Sequence, residues 1–266
     1  MAHSLTDRAE QSDKPARPNN PDLSTDAIRT AKEELAACFR MAARNGFEEG
    51  ICNHFSAVVP GHDDLFIVNP YGYAFRELTA SKLLVCDFNG AIIDGDGAPE
   101  ATAFYIHAEI HRRLPRAKVA FHTHMPYATA LSMTEGPPLI WAGQTALKFY
   151  GRTAVDENYN GLALDYAEGA RIAGTAGDAD IVFLKNHGVL VLAPTIAEAW
   201  DDLYYLERAA EVQVLAMSTG RTIKPVDPAI ADAAYRQMRE GDPESARAHL
   251  AAIRRQLDAE EPQYRH

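Results

Sequence analysis

The stretch "DIVFLKNHGVLVLAP" constrains this 266-residue chain more than any other. Its apolar residues fall into two runs of strand length, parted by Lys185, Asn186 and His187. That polar break argues against a membrane span, which takes about 20 predominantly apolar residues. Short, near-continuous apolar runs read instead as strands buried on both faces. Gly188 lets the backbone turn and approach closely between them. Such strands need a sheet with a cover on each side.

Other segments supply that cover. "STDAIRTAKEELAACFRMAARNG" is an amphipathic helix that Ser24 or Thr25 can cap and Gly46 can close. "NHFSAVV" and "DLFIVNP" read as strands about the turn-like "PGHDD", and "LLVCDFNGAIIDGDG" as a hairpin about Asn89-Gly90. "PEATAFYIHAEIHRRL" is a helix with Phe104, His107, Ala108 and His111 on one face. "AKVAFHTH" is a buried strand. "PYATALSM", opened by Pro126, and "LDYAEGARIAGTA" are helices. A long helix from Thr195 to Gly220 begins with a Thr195–Glu198 capping box. We expect one α/β domain over residues 25–225, a mixed sheet with helices on both faces. Residues 1–24 read as a flexible arm, and 226–266 as a polar, charged helical C-terminal extension.

The formal net charge is −11, and no Lys/Arg cluster offers a nucleic-acid surface. Cys38, Cys52 and Cys86 are odd in number and form no CxxC, so a disulfide framework is not expected. With no apolar leader at the N-terminus, a cytoplasmic location and no membrane contact are the expectation.

Alternate residues of a strand share a face, so His122 and His124 project together from the end of "KVAFHTH". His187, in "KNHG", ends a second apolar strand. Three imidazoles at strand ends would suit a divalent transition metal, because a catalytic zinc takes three protein ligands and an open position. Iron, manganese or cobalt would fit the same donors. Hydrogen-bonded core histidines are the competing reading. His107 and His111 lie one helical turn apart and either line a site or pack; they do not form HExxH.

The stretches "RMAARNGFEEGICNHFSAVVPG", "FIVNPYGYAFRELTASKLLVCDFNG", "IHAEIHRRLPRAKVAFHTHMPYATALS" and "KNHGVLVLAPTIAEAWDDLYYLERAAEVQVLA" run in order over about residues 28 to 218. Together they resemble the class II aldolase/adducin head-domain family, in its adducin-like branch with the metal histidines retained. The resemblance implies a three-layer αβα domain on a largely antiparallel mixed sheet. It implies a divalent metal held by His122, His124 and His187, zinc first, with iron or manganese as alternatives. It also implies a small-molecule substrate and a homotetramer with active sites near subunit interfaces. Trp200, Tyr204 and Tyr205 on the long helix are the candidates for that contact.

Departures from the family pattern shape the functional expectation. Sugar-phosphate aldolases carry Ser-Ser-Glu where this chain has Ala101, Thr102 and Ala103, and Gly-Asn where it has Asn53-His54. Dehydratases place a glutamate in the segment that here holds Gln144 and Thr145. With no carboxylate at position 103, the proton carrier is sought among His54, Tyr71, His107 and Glu100. Substrate contacts are expected from Asn53, Ser56, Gly72, Thr102 and Gln144. Tyr71, Tyr73, Phe104, Tyr105 and Trp141 either wall an apolar pocket or fill the core. The leading reading is a metal-dependent lyase, cleaving or decarboxylating a non-phosphorylated hydroxy or keto compound, aromatic in one version. An Fe(II) oxygenase and a non-catalytic adducin-like scaffold are the alternatives. Because the phosphate-binding serine pair is replaced, pentose and deoxyhexose phosphates should not be turned over usefully, even after Ala103→Glu. A rate comparable to authentic sugar-phosphate aldolases in a direct assay would contradict this.

Overall fold

The computed structural model describes residues 21–266. Most of the expected arm, residues 1–20, lies outside the described residues. The chain enters helix α1 (Asp26–Arg44), with the Thr25 hydroxyl accepting the Ile28 N–H at 3.3 Å. Strands β1 (His54–Val59), β2 (His62–Val68), β3 (Leu84–Asp87) and β4 (Ile92–Asp94) follow. Then come α2 (Ala101–Arg113), β5 (Val119–Thr123), α3 (Pro126–Ser132), α4 (Gln144–Leu147) and β6 (Thr153–Asp156). The chain ends with α5 (Tyr166–Ala176), β7 (Ile181–Leu184), β8 (Gly188–Ala193), α6 (Ile196–Ser218) and α7 (Pro228–Glu260).

The eight strands form one sheet in the order β4-β3-β2-β1-β5-β8-β7-β6. All neighbours are antiparallel except β6 and β7. Alternation divides the strands between two cores. Phe55, Ile67, Phe121, Phe183 and Val191 face the larger core with α1, α3, α6 and α7. Ala120, Val182, Leu184, Leu190 and Leu192 face α2 and α5. The sheet is therefore mixed, largely antiparallel and covered on both sides, as the sequence indicated. Apolar burial on both faces is the main favourable term holding such a sheet.

Three differences from the sequence reading have physical causes. Strand β6, only half-buried along most of its length, and the single-turn helix α4 present neither an apolar run nor a period in the sequence. The segment from 226 is more than a polar extension. Ala246, Leu250, Ile253 and Leu257 of α7 belong to the larger core, and Asp242 holds the buried Lys148 ammonium at 2.6 Å. Trp200 is sealed inside, donating its Nε1–H to His249 at 3.3 Å, so it cannot serve a subunit contact. On α6 the exposed apolar residues are Tyr205, Val212, Leu215 and Met217. No helix among the described residues is long and apolar enough to cross a membrane.

Helices α2 and α5 pack unusually closely at Gly169, where an added Cβ would lie 2.3 Å from the Tyr105 carbonyl oxygen. Glycine in a helix normally costs about 0.5–1 kcal/mol relative to alanine. Here the sign should reverse: Gly169→Ala is expected to destabilise by about 1–3 kcal/mol through overpacking against backbone. Urea unfolding would show it as a lower midpoint, and an unchanged or raised midpoint would contradict it.

Candidate metal centre

Strand pairing assembles the three histidines. β5 lies between β1 and β8, so His122 pairs with His54 on one side and with Leu190 on the other. His124 follows directly from β5 on the same face. His187 sits in the β7–β8 turn, which Asn186 makes by adopting φ 58°. That turn approaches β5 so closely that a Cβ on Gly188 would lie 2.5 Å from the Thr123 carbonyl oxygen and 2.8 Å from the His124 ring. The glycine is required by space, which explains the Asn-His-Gly spelling.

The rings of His122, His124 and His187 form a near-equilateral triangle with centroids 4.7 to 4.9 Å apart. One nitrogen from each lies within 4.8 Å of the others. Two of the three have an outer nitrogen engaged. The His122 Nδ1–H donates to the Val189 carbonyl at 2.9 Å. His124 Nδ1 donates to the Glu49 carboxylate. Such partners fix the tautomer of a ligating imidazole and leave its Nε2 free to coordinate. The two Nε2 atoms of His122 and His124 then face each other at 3.1 Å. Two lone pairs cannot make that contact favourable; only a positive charge can close it, either a proton or a cation shared with His187. Burial, and then the neighbouring imidazoles, push His122 well below the usual histidine range. Burial, and then His124, push His187 down to about 4. The residues present thus fit a divalent ion that takes imidazole donors.

The triangle opens on a cavity of about 180 Å³ that Asn53, His54, Glu100 and Thr102 also line. A larger cavity of about 470 Å³ adjoins it, sharing His124, His187, Thr102 and Leu162. Asn53 adopts φ 80°, a conformation that costs an L-residue energy and clusters at functional sites. Its Oδ1 accepts the His124 backbone N–H at 3.3 Å, which fixes the amide orientation and leaves Nδ2 a buried donor without a protein partner. Glu100 lines the cavity too, but its carboxylate caps α2, accepting from the Ala103 N–H at 3.2 Å and from the Thr102 hydroxyl.

The other sequence candidates fall elsewhere. Ser56 and His107 are sealed from solvent and do not line either cavity. They belong to a hydrogen-bonded row behind His54: His54 Nδ1 meets His107 Nε2 at 2.6 Å, and His107 Nδ1 meets the Ser56 hydroxyl. The same hydroxyl meets His111 Nε2 at 2.7 Å. A direct substrate contact from Ser56, or a proton exchanged with substrate by His107, is therefore excluded in this arrangement. Tyr71 and Gly72 follow β2, one strand further from β5 than β1, and line neither cavity. Gln144 opens α4 and lines a separate depression with Ile140 and Val212. Of the five aromatic residues grouped from sequence, Phe104 is core, packed with Phe66 and Ala108, and the rest line neither cavity. The aromatic ring beside the site is Tyr159, 6.2 Å from His187. Tyr159 and Glu49 carried no pattern in the sequence, since both lie in irregular loops.

The family described as Class II Aldolase and Adducin N-terminal domain matches residues 33–214. A protein called "Putative aldolase class 2 protein" from Caulobacter vibrioides is 36% identical over 193 residues, 72% of this chain and 74% of its own. A 4-hydroxy-3-prenylphenylpyruvate oxygenase/4-hydroxy-3-prenylbenzoate synthase from Streptomyces roseochromogenus is 33% identical, over 70% of this chain and 67% of its own. Decarboxylase NovR from Streptomyces niveus is 32% identical, over 70% and 69%. The crystal structure of an aldolase II superfamily protein from Pseudomonas syringae superposes with a TM-score of 0.85 at 30% identity. That match covers 91% of this chain and 97% of the other.

Replacing Gly188 tests the geometry without touching a ligand. The wild-type protein is expected to hold about one divalent ion per chain, and Gly188→Ala should drive the β7–β8 turn off His124 and reduce that content well below it. His122→Ala should do the same by removing a donor. Elemental analysis of folded, gel-filtered protein is the measurement, and full metal retention in both variants would contradict the assignment.

Proposed function

This chain belongs to the class II aldolase and adducin N-terminal domain family, and from that premise we propose that it is a metal-dependent lyase. The substrate class is a small, non-phosphorylated hydroxy or keto compound, cleaved in the aldol sense or decarboxylated. One observation carries the reading: a face of three imidazoles, two with their outer nitrogens anchored, that opens on a cavity instead of being closed by a fourth side chain. A non-catalytic scaffold has no use for that opening. We take zinc as the resident ion, with iron or manganese as alternatives.

A divalent ion on His122, His124 and His187 supplies Lewis-acid polarisation of a substrate carbonyl oxygen. Asn53 Nδ2 offers a hydrogen bond to the oxygen on which negative charge collects, in a site where an unmade bond is costly. Ala103 is a buried methyl group on α2 and cannot move a proton. His54 lines the cavity beside the three ligands, and takes the role of proton carrier. Glu100 is held as a helix cap and serves to fix the start of α2. The cavity of about 470 Å³ accommodates the rest of the substrate, with Ile172, Leu184 and Met133 giving it apolar walls. Decarboxylase NovR, a relative by name, supports the decarboxylating version. The Streptomyces roseochromogenus oxygenase supports a second reading, oxygen-dependent cleavage on iron at the same face. We propose a homotetrameric assembly, with Val212, Leu215 and Met217 of α6 available for subunit contact.

The test is turnover of a panel of β-keto and 2-hydroxy acids by metal-loaded enzyme, with and without O₂. Activity under argon with zinc or manganese supports the lyase; activity confined to iron and O₂ overturns it in favour of the oxygenase. Within an active system, His54→Gln should keep metal and fold yet lose about 10²–10⁴-fold in kcat, the range of a general acid–base group. Unchanged turnover would remove His54 from the role.

A further inference from the structure

Behind His54 runs a row of polar groups with no charged member, and its direction can be read from one end. At the far end His111 Nδ1 lies 2.8 Å from the Ala117 carbonyl oxygen. A carbonyl only accepts, so Nδ1 of His111 carries the hydrogen. His111 is buried, and desolvation pushes it down to about 4, so the ring is neutral and its Nε2 is bare. The Ser56 hydroxyl, 2.7 Å away, must then donate to that Nε2. The Ser56 oxygen is left as the acceptor for His107 Nδ1–H. His107 is sealed in the interior, and burial pushes it well below the usual histidine range, so the ring is neutral, its Nε2 is in turn bare, and it accepts the His54 Nδ1–H at 2.6 Å. Each contact holds one hydrogen, and each choice forces the next. The last ring in the row, His54, is left with a bare Nε2. No protein partner for that nitrogen is found among the described residues, and the ring lines the cavity with His122, His124 and His187.

We propose that His111, Ser56 and His107 are positioning residues forming a tautomer clamp, which presents His54 to the metal-side cavity only through an unprotonated Nε2. This rests on the proposed role of His54 and deepens it. A neutral imidazole otherwise exchanges between two tautomers, and only one of them can accept a proton at the cavity. The clamp removes the unproductive form without spending a charged partner, which in so buried a place would be costly to desolvate. The row also explains why α2 carries two histidines one turn apart on its sheet-facing side. His107 and His111 bracket a single hydroxyl from β1, and α2 needs both rings to reach it. The Ala117 carbonyl that sets the direction sits in the turn between α2 and β5, so one connection fixes both the clamp and the strand bearing two ligands.

Tautomers are read directly by long-range ¹H–¹⁵N correlation on zinc-loaded protein with labelled histidine. The expected result is one hydrogen on Nδ1 and a bare Nε2 at each of His54, His107 and His111. Ser56→Ala should leave zinc content and the fold unchanged and convert His54 to a tautomer mixture, with Ser56→Thr restoring the single form. A hydrogen on Nε2 of His54 in the wild-type protein would overturn the proposal, whether or not any variant folds. So would a single, unchanged His54 tautomer in folded Ser56→Ala. Neither readout needs turnover: correct tautomers in a protein inactive on every keto and hydroxy acid would sink the lyase reading and leave the clamp standing.

Discussion

Two imidazole nitrogens held 3.1 Å apart, each with its ring hydrogen committed to the other side, define this molecule. The Val189 carbonyl and the Glu49 carboxylate turn the Nδ1 atoms of His122 and His124 outward. What remains between the rings is electron-rich on both sides, an arrangement that a shared cation would stabilise. Register between β5 and β8 fixes where the Val189 carbonyl falls, and the side-chain-free Gly188 lets His187 close the triangle.

Electrostatic economy governs the second layer. The polar contacts behind the site run through histidine, serine, amide and backbone groups, and the carboxylates nearby are diverted: Glu49 to His124, Glu100 to the start of α2. A sealed carboxylate beside the ligands would add charge that burial penalises. Neutral imidazoles carry the polarity instead, and burial keeps those of His54, His107 and His122 well below their ordinary range.

Much of this was legible in the sequence. Strand alternation put His122 and His124 on one face, and the Asn-His-Gly turn identified His187, because both signals are local. Ser56, His107 and His111 could be named but not assigned, since their roles depend on β1 lying under α2, a contact across more than fifty residues. Tyr71 is a candidate by residue type and Gln144 by its place in the family pattern, and neither kind of signal fixes a position in space: one follows β2 and the other opens α4. Glu49 and Tyr159 lie in loops whose paths no periodicity records. The stripe Ala246, Leu250, Ile253, Leu257 has helical spacing, yet the surrounding charge disguised it as solvent-facing.

The central claim is a metal centre built from three imidazoles with an open side. X-ray absorption on the zinc-loaded protein tests it most directly. The account predicts three imidazole nitrogens at about 2.0–2.1 Å, with the multiple-scattering signature of the rings and a light atom completing the shell. A sulfur shell, or a shell without imidazole scattering, would contradict it.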